Sequence, residues 1–218
     1  MSNNQQETNP EGVVGLMLRL RGFGITDTRL MKALEAIPHE QFIPVEHYEK
    51  AYRPRSMPIA CGQTMVSPDT TARMITALNP QPSHTVLEIG TGSGYQSALL
   101  SMLAKKVHTI DRYKTLLSSA QDRHQRLNIS NVTYAQTDGG ASTEQGLYDC
   151  IICDLAFEEM PRGLLDQLVS GGLVVTAIGP KGGEQSLVRL TKIGSRFERE
   201  DLFSVRFGSF ESGIAEAL

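Results

Sequence analysis

The sequence predicts an α/β fold: a doubly wound, mostly parallel sheet preceded by an N-terminal extension of helices and loops. Three observations carry this. From Pro68 onward, apolar runs of strand length alternate with helical patterns. The first of these strands runs directly into a glycine-rich turn, Gly90-Thr91-Gly92-Ser93-Gly94, and then into a helix. The next two strands each end on an aspartate, Asp111 and Asp138.

The 218 residues suffice for one α/β unit with a sizeable core. Lys and Arg number 21 against 24 Asp and Glu, for a net charge of −3 and a pI near 6.0. That balance excludes a generally basic surface of the kind that tracks phosphates, so no nucleic-acid partner is expected. No run of apolar residues is long enough to span a membrane. Residues 1–12 are polar, lack the apolar segment of a secretory signal, and read as a disordered tail. Three cysteines do not make a disulfide framework, and a cytoplasmic location is expected.

In chain order, residues 13–21 read as a helix ended by Gly22 and Gly24. Thr26-Asp27 caps a second helix over 28–37, with Leu30, Met31, Leu34 and Ile37 on one side and Pro38 as its stop. Arg19, Arg21 and Arg29 belong to these helices, either as solvated groups or as partners for peptide carboxylates. The stretch 39–68 is loop-rich, with Pro44, Pro54, Pro58 and Pro68. Residues 13–68 therefore form the extension and 69–218 the main unit. In the latter, helices are predicted at 69–78, 95–104, 114–128 and 161–169. Strands are predicted at 85–90, 106–111, 131–136, 147–153 and 172–178, and 187–210 holds two more strands or a hairpin.

Cys150 and Cys153 have C-x-x-C spacing but lie on a predicted strand. Residues i and i+3 of a strand point to opposite faces, so the thiols do not meet and read as small buried apolar groups. His84, His108 and His124 show no metal-ligand spacing, and no metal is expected.

The glycine turn is the strongest chemical signal. Glycines let a backbone turn tightly and lie against a ligand, and the following helix start offers free N–H groups. The third glycine comes one residue earlier than in G-x-G-x-x-G, which weakens a pyrophosphate-binding reading, and with no G-K-[ST] the turn is not a P-loop. An acid at Asp111 is placed to accept ribose hydroxyls, and Thr137-Asp138-Gly139 ends the next strand beside the same crevice.

Val86-Leu87-Glu88-Ile89-Gly90-Thr91-Gly92-Ser93-Gly94-Tyr95, followed by an acidic strand end, resembles motif I of Rossmann-like S-adenosylmethionine methyltransferases. Ala51-Tyr52, Pro58-Ile59, Gly62-Gln63-Thr64 and Pro68 match A-Y…P-I…G-Q-T-I-S-x-P. With Tyr148-Asp149, Pro161, Leu165-x-Gln167-Leu168, Gly171-Gly172-Leu173-Val174 and Ile178-Gly179, the chain resembles the protein-L-isoaspartate O-methyltransferases over roughly 13–210. The resemblance implies S-adenosyl-L-methionine as cofactor. It implies isoaspartyl-containing proteins or peptides as partners, and a monomer or weak homo-oligomer. The implied cofactor contacts are Glu88, Gly90, Thr91, Gly92, Ser93, Gly94, Asp111, Arg112, Asp138 and Gly139. Thr64, Val66 and Ser67 are implied at the reacting carboxyl, with Ile59, Gln63 and Asp154 on the substrate side.

The chain departs from the family pattern on that side. Val66 stands where the family has Ser, and Ser67 comes one residue later, which turns its hydroxyl the other way. Asp154 occupies a tract that usually reads T-A-A-x. It reads either as a helix N-cap or as a second acid near the acceptor. The family's C-terminal V-x-F-V-P-L is Val205-Arg206-Phe207-Gly208-Ser209-Phe210. A different acceptor, or cofactor binding with little turnover, are the alternatives. A base methyltransferase is disfavoured: Asp154-Leu-Ala-Phe lacks the two prolines of [DN]-P-P-[YF], and Cys153 follows Ile rather than Pro.

Overall fold

The computed structural model describes residues 10–140 and 146–215. Most of the expected tail lies outside the described residues, but 10–12 are helical. Helix α1 (Pro10–Gly22) thus starts ahead of Val13. Proline is tolerated in a first turn, where its missing N–H would have no helical partner. Helix α2 (Thr28–Ala36) opens on Asp27, whose side chain accepts from Arg29 N, and it buries Leu30, Ala33 and Leu34.

The next stretch is more ordered than its prolines predict. Two short 3-10 helices (His39–Phe42 and Val45–Lys50) lead to a pair of two-residue strands, β1 (Met57–Pro58) and β2 (Thr64–Met65). They run antiparallel, with Met57 opposite Met65. Helix α3 (Pro68–Leu78) follows at once.

The main sheet contains β3 (Thr85–Ile89), β4 (Lys106–Asp111), β5 (Val132–Gln136), β6 (Tyr148–Phe157), β7 (Leu168–Ile178), β8 (Gln185–Ile193) and β9 (Arg196–Val205), in the order β5-β4-β3-β6-β7-β8-β9. The first five are parallel, and β8 and β9 extend the sheet as an antiparallel hairpin. Helices α4 (Tyr95–Ser101), α5 (Lys114–Arg126) and α6 (Arg162–Leu165) connect the strands. The chain winds outward from β3 to β5, then returns to the other side of β3 as β6. Winding therefore reverses between β3 and β6, where open α/β sheets form a ligand crevice.

Each face of the sheet has its own core. One gathers Leu16, Leu20, Leu34, Ile75 and Leu99 against Val86 and Ile152; the other gathers Leu87, Ile89, Ile151, Leu164 and Val174. The extension thus packs into the same core as one sheet face. Cys150 and Cys153 divide between the two cores, as their spacing predicts, and both are free thiols. Among the described residues, no helix is long and apolar enough to cross a membrane.

Three expectations need correction. The helix predicted over 161–169 is a single turn, because Tyr148 N donates to Gln167 O (2.8 Å) and Leu168 pairs with Tyr148, which draws the chain into the sheet. The strand predicted to stop at 153 continues to Phe157, so Asp154 is not a helix cap. Arg19 is only partly exposed and is not free for a substrate: its guanidinium grips Asp69 at 2.7 and 2.9 Å and so ties α1 to α3, while Arg29 folds back on Asp27.

At the start of α4, Gly94 has φ +89°, and a Cβ there would lie 2.8 Å from Ala120 Cβ and 3.2 Å from Ala120 Cα. Gly94→Ala combines backbone strain with overpacking and is expected to destabilise the protein by roughly 2–5 kcal/mol. Urea denaturation measures this, and an unchanged midpoint would show that α5 can move aside freely.

Candidate active site

A cavity of about 510 Å³ opens at the carboxyl ends of β3, β4 and β6. The glycine turn forms its floor, the β1–β2 loop one wall and residues 206–211 another. Gly90 N and Thr91 N both donate to Ile110 O, at 2.9 and 3.1 Å. Gly92 N donates to Asp111 Oδ2 and Tyr113 N to Asp111 Oδ1, each at 2.9 Å. Each carboxylate oxygen keeps a further lone pair for a ligand. A Cβ on Gly92 would meet Ile59 Cδ1 at 3.4 Å, so glycine keeps open the strip between turn and loop. Ser93 Oγ donates to Met65 Sδ (2.7 Å) and joins the turn to β2.

Asp138 also lies on the cavity wall. It accepts from Gly140 N (3.0 Å) and Gly213 N (2.8 Å), and these bonds hold its pKa below the usual carboxylate range. Arg112 lines the cavity and pairs with Glu211 at 2.5 Å.

Four of the predicted residues support the site rather than line it. Glu88 lies fully buried beneath the turn. Its Oε2 accepts from Thr109 Oγ1 (2.5 Å), and Thr109 in turn receives the Thr91 hydroxyl (2.6 Å). Burial, which disfavours the charged form, pushes Glu88 up to about 7. Gly94 faces α5 instead. Its carbonyl can only accept, so His124 Nε2 donates to it (2.7 Å) and His124 Nδ1 accepts from the Tyr134 hydroxyl (2.6 Å). Gly139 packs beneath the crevice, where a Cβ would lie 2.6 Å from Ile89 Cγ2. Ser67 is the N-cap of α3: its Oγ accepts from Thr70 N (3.2 Å) and bonds Thr70 Oγ1 (2.9 Å).

Ile59, Gln63, Thr64 and Val66 all line the cavity. Gln63 Nε2 donates to the Tyr113 hydroxyl (3.3 Å), a second tie between the loop and the β4 end. Asp154 also faces the cavity, and burial together with the charges of Glu88 and Asp111 raises its pKa well above the ordinary value. Gln96, Tyr113, Leu155, Arg206 and Phe207 line the cavity as well. Tyr113 was legible as the residue two beyond the acidic strand end, and Arg206 and Phe207 lie in the tract compared with V-x-F-V-P-L. Gln96 and Leu155 carry no sequence signal. Among the described residues, no group of three His, Cys, Asp or Glu side chains is arranged to hold a metal ion.

A reversing parallel sheet with a glycine turn and two strand-end acids around one crevice defines a Rossmann-like methyltransferase. The family model for protein-L-isoaspartate(D-aspartate) O-methyltransferase (PCMT) matches residues 13–213, and the chain belongs to this family. It is 42% identical over 212 residues to a protein-L-isoaspartate O-methyltransferase of Bradyrhizobium sp. (strain ORS 278), covering 97% of this chain and 99% of that one. It is 44% identical over 207 residues to the Azorhizobium caulinodans protein of the same name, covering 93% and 94%. Among solved structures, it is similar to a Plasmodium falciparum protein of this description in complex with S-adenosyl-L-homocysteine, with TM-score 0.76, 23% identity and coverage of 91% and 98%. A second protein-L-isoaspartate O-methyltransferase structure matches with TM-score 0.81 and 24% identity, over 93% of this chain and 67% of that one.

Two substitutions check this geometry. Ser67→Ala removes a helix cap and is expected to cost about 1 kcal/mol in urea denaturation, with the KM for acceptor unchanged; a raised KM would put the hydroxyl at the acceptor. Glu88 loses its proton near 4.5 when unfolded but near 7 when folded, so its contribution to stability is full below pH 4.5 and declines as pH rises to 7. Glu88→Gln removes that decline and is expected to gain at most about 3 kcal/mol over wild type above pH 7. Parallel pH-stability curves for the two proteins would refute the raised Glu88 pKa.

Proposed function

We propose that the chain transfers a methyl group from S-adenosyl-L-methionine to the free carboxyl of L-isoaspartyl residues in damaged proteins. The observation that carries this is the family match over residues 13–213, coincident with one cavity that gathers the glycine turn, Asp111 and Asp138. The residues fit the cofactor. Gly92 puts no side chain into the strip that faces Ile59, and both Asp111 oxygens can accept further hydrogen bonds.

In this reading, Gly90, Thr91, Gly92 and Ser93 hold the methionine end, Asp111 the ribose, and Asp138 the adenine side, with Arg112 beside it. Glu88, Gly94 and Gly139 keep the turn and crevice in shape. When bound, the cofactor supplies an electrophilic methyl on a sulfonium. The acceptor carboxylate is already ionised at neutral pH, so the protein needs no strong base. Its work is to align an acceptor oxygen and exclude water. Ile59, Gln63, Thr64 and Val66 form the acceptor wall, and Thr64 supplies its hydroxyl. Residues 13–68 and 69–218 act as one unit, the first carrying this wall. The setting is cytoplasmic and the partners are isoaspartyl-containing proteins or peptides.

Val66 on the wall favours a second reading, an acceptor other than isoaspartate. Labelled cofactor offered to an isoaspartyl peptide and its normal aspartyl counterpart separates the two. Methylation of the isoaspartyl peptide above the aspartyl control is expected, and equal labelling would favour another acceptor. Val66→Ser restores a hydroxyl at the acceptor and is expected to raise kcat/KM about tenfold or more. An unchanged value would place residue 66 away from the reacting carboxyl.

A further inference from the structure

Strand β6 departs from regular pairing just where it meets the glycine turn. Its last pair with β3 is Cys153 with Ile89. On the other side, Ile152 pairs with Val175 and Ala156 with Ala177, so β6 advances four residues while β7 advances two. The extra residues bulge, and a bulge re-aims side chains. Asp154 is brought beside Gly90, where a Cβ would lie 2.7 Å from its Oδ1. Its carboxyl faces the cavity with no hydrogen bond or ion pair to any other described residue. The charged groups acting on it are Glu88 on β3 and Asp111 at the end of β4, both acids. A half-buried carboxyl in such surroundings lacks a cation.

The strand order says which cation. Asp138, Asp111, Gly90 and Asp154 follow one another along the ends of β5, β4, β3 and β6. With adenine and ribose over β5 and β4, as proposed above, the methionine end lies across β3 toward β6. That end carries an α-ammonium and a carboxylate. A second observation marks the same end: Gln96, 7% exposed and lining the cavity at the start of α4, turns its amide N–H toward Glu88 and leaves its Oε1 without a hydrogen-bond partner. That oxygen can accept from the cofactor's α-ammonium.

We propose that Asp154 is the counter-charge that binds the α-ammonium of S-adenosyl-L-methionine. The ammonium is preferred over the sulfonium because it donates hydrogen bonds, which a carboxylate at the turn accepts. The pair replaces the missing cation. Burial and its acidic neighbours raise the Asp154 pKa in the free protein, an ammonium beside it lowers that pKa again, and binding is therefore expected to release protons.

The inference rests on the cofactor reading above, and calorimetric titration of the full chain separates the two. The probes are S-adenosylmethionine, S-adenosylhomocysteine and 5′-methylthioadenosine, which lacks the amino-acid end. Asp154→Asn is expected to weaken the first two alike, by about tenfold or more, and to leave the third unchanged. Loss confined to S-adenosylmethionine would make the sulfonium the partner and overturn the proposal. Equal loss for all three, or no loss, would overturn it too. Wild type that binds none of the three would overturn the cofactor reading itself. Proton release, read from binding heats in buffers of different ionisation enthalpy, is expected in wild type and in Glu88→Gln but not in Asp154→Asn. Should Asp154→Asn fail to fold, Asp154→Ser takes its place with the same expected and overturning outcomes in the three titrations.

Discussion

The turn from Gly90 to Gly94 is enclosed at both ends, and the remaining architecture follows from that. At Gly90 the space for a side chain is taken by the Asp154 carboxyl, and at Gly94 by Ala120 and His124. Both residues also have positive φ, at +92° and +89°, a region open to glycine at little cost. Between them Gly92 N is held by Asp111. One five-residue stretch thereby positions the end of β3, the start of α4, the approach of α5 and the floor of the cavity. His124 completes the arrangement by donating to Gly94 and accepting from Tyr134, which links α5 to β5.

Three carboxyls surround this turn, and they differ in how they are compensated. Asp111 accepts two backbone N–H groups. Glu88 accepts from the Thr109 hydroxyl, with Ser97 and Gln96 also turned toward it. Asp154 has no bond to another described residue. All three have pKa values raised by burial. The gradient from satisfied to unsatisfied runs across the sheet toward the β3–β6 switch point. Stability is given up there, which is the usual condition of a site shaped for a charged ligand.

The acceptor wall depends on the turn rather than on its own strength. Strands β1 and β2 are two residues each, too short to hold a loop unaided. The Ser93–Met65 and Gln63–Tyr113 bonds fasten the loop to the floor. Behind it, Arg19 and Asp69 clamp α1 to α3. The one-residue difference between Val66 and Ser67 acquires a physical meaning in this frame. Residue 66 faces the cavity, and residue 67 begins a helix and gives its hydroxyl to the cap.

Local sequence determined the strands, most helices, the glycine turn and the strand-end acids, because each rests on short-range periodicity or on the backbone chemistry of glycine and aspartate. The opposite facing of Cys150 and Cys153 was legible for the same reason, since a strand alternates by residue. Tertiary structure decided the rest. The helix expected at 161–169 yielded to sheet pairing at Tyr148 and Leu168, a contact no local pattern encodes. Arg19 found Asp69 fifty positions away. Glu88, Gly94 and Gly139 lie within or next to the motif tracts yet turn from the cavity, because facing depends on what packs behind them. The position of Asp154 follows from a register shift between β6 and β7, a relation between two strands that no single stretch of sequence contains.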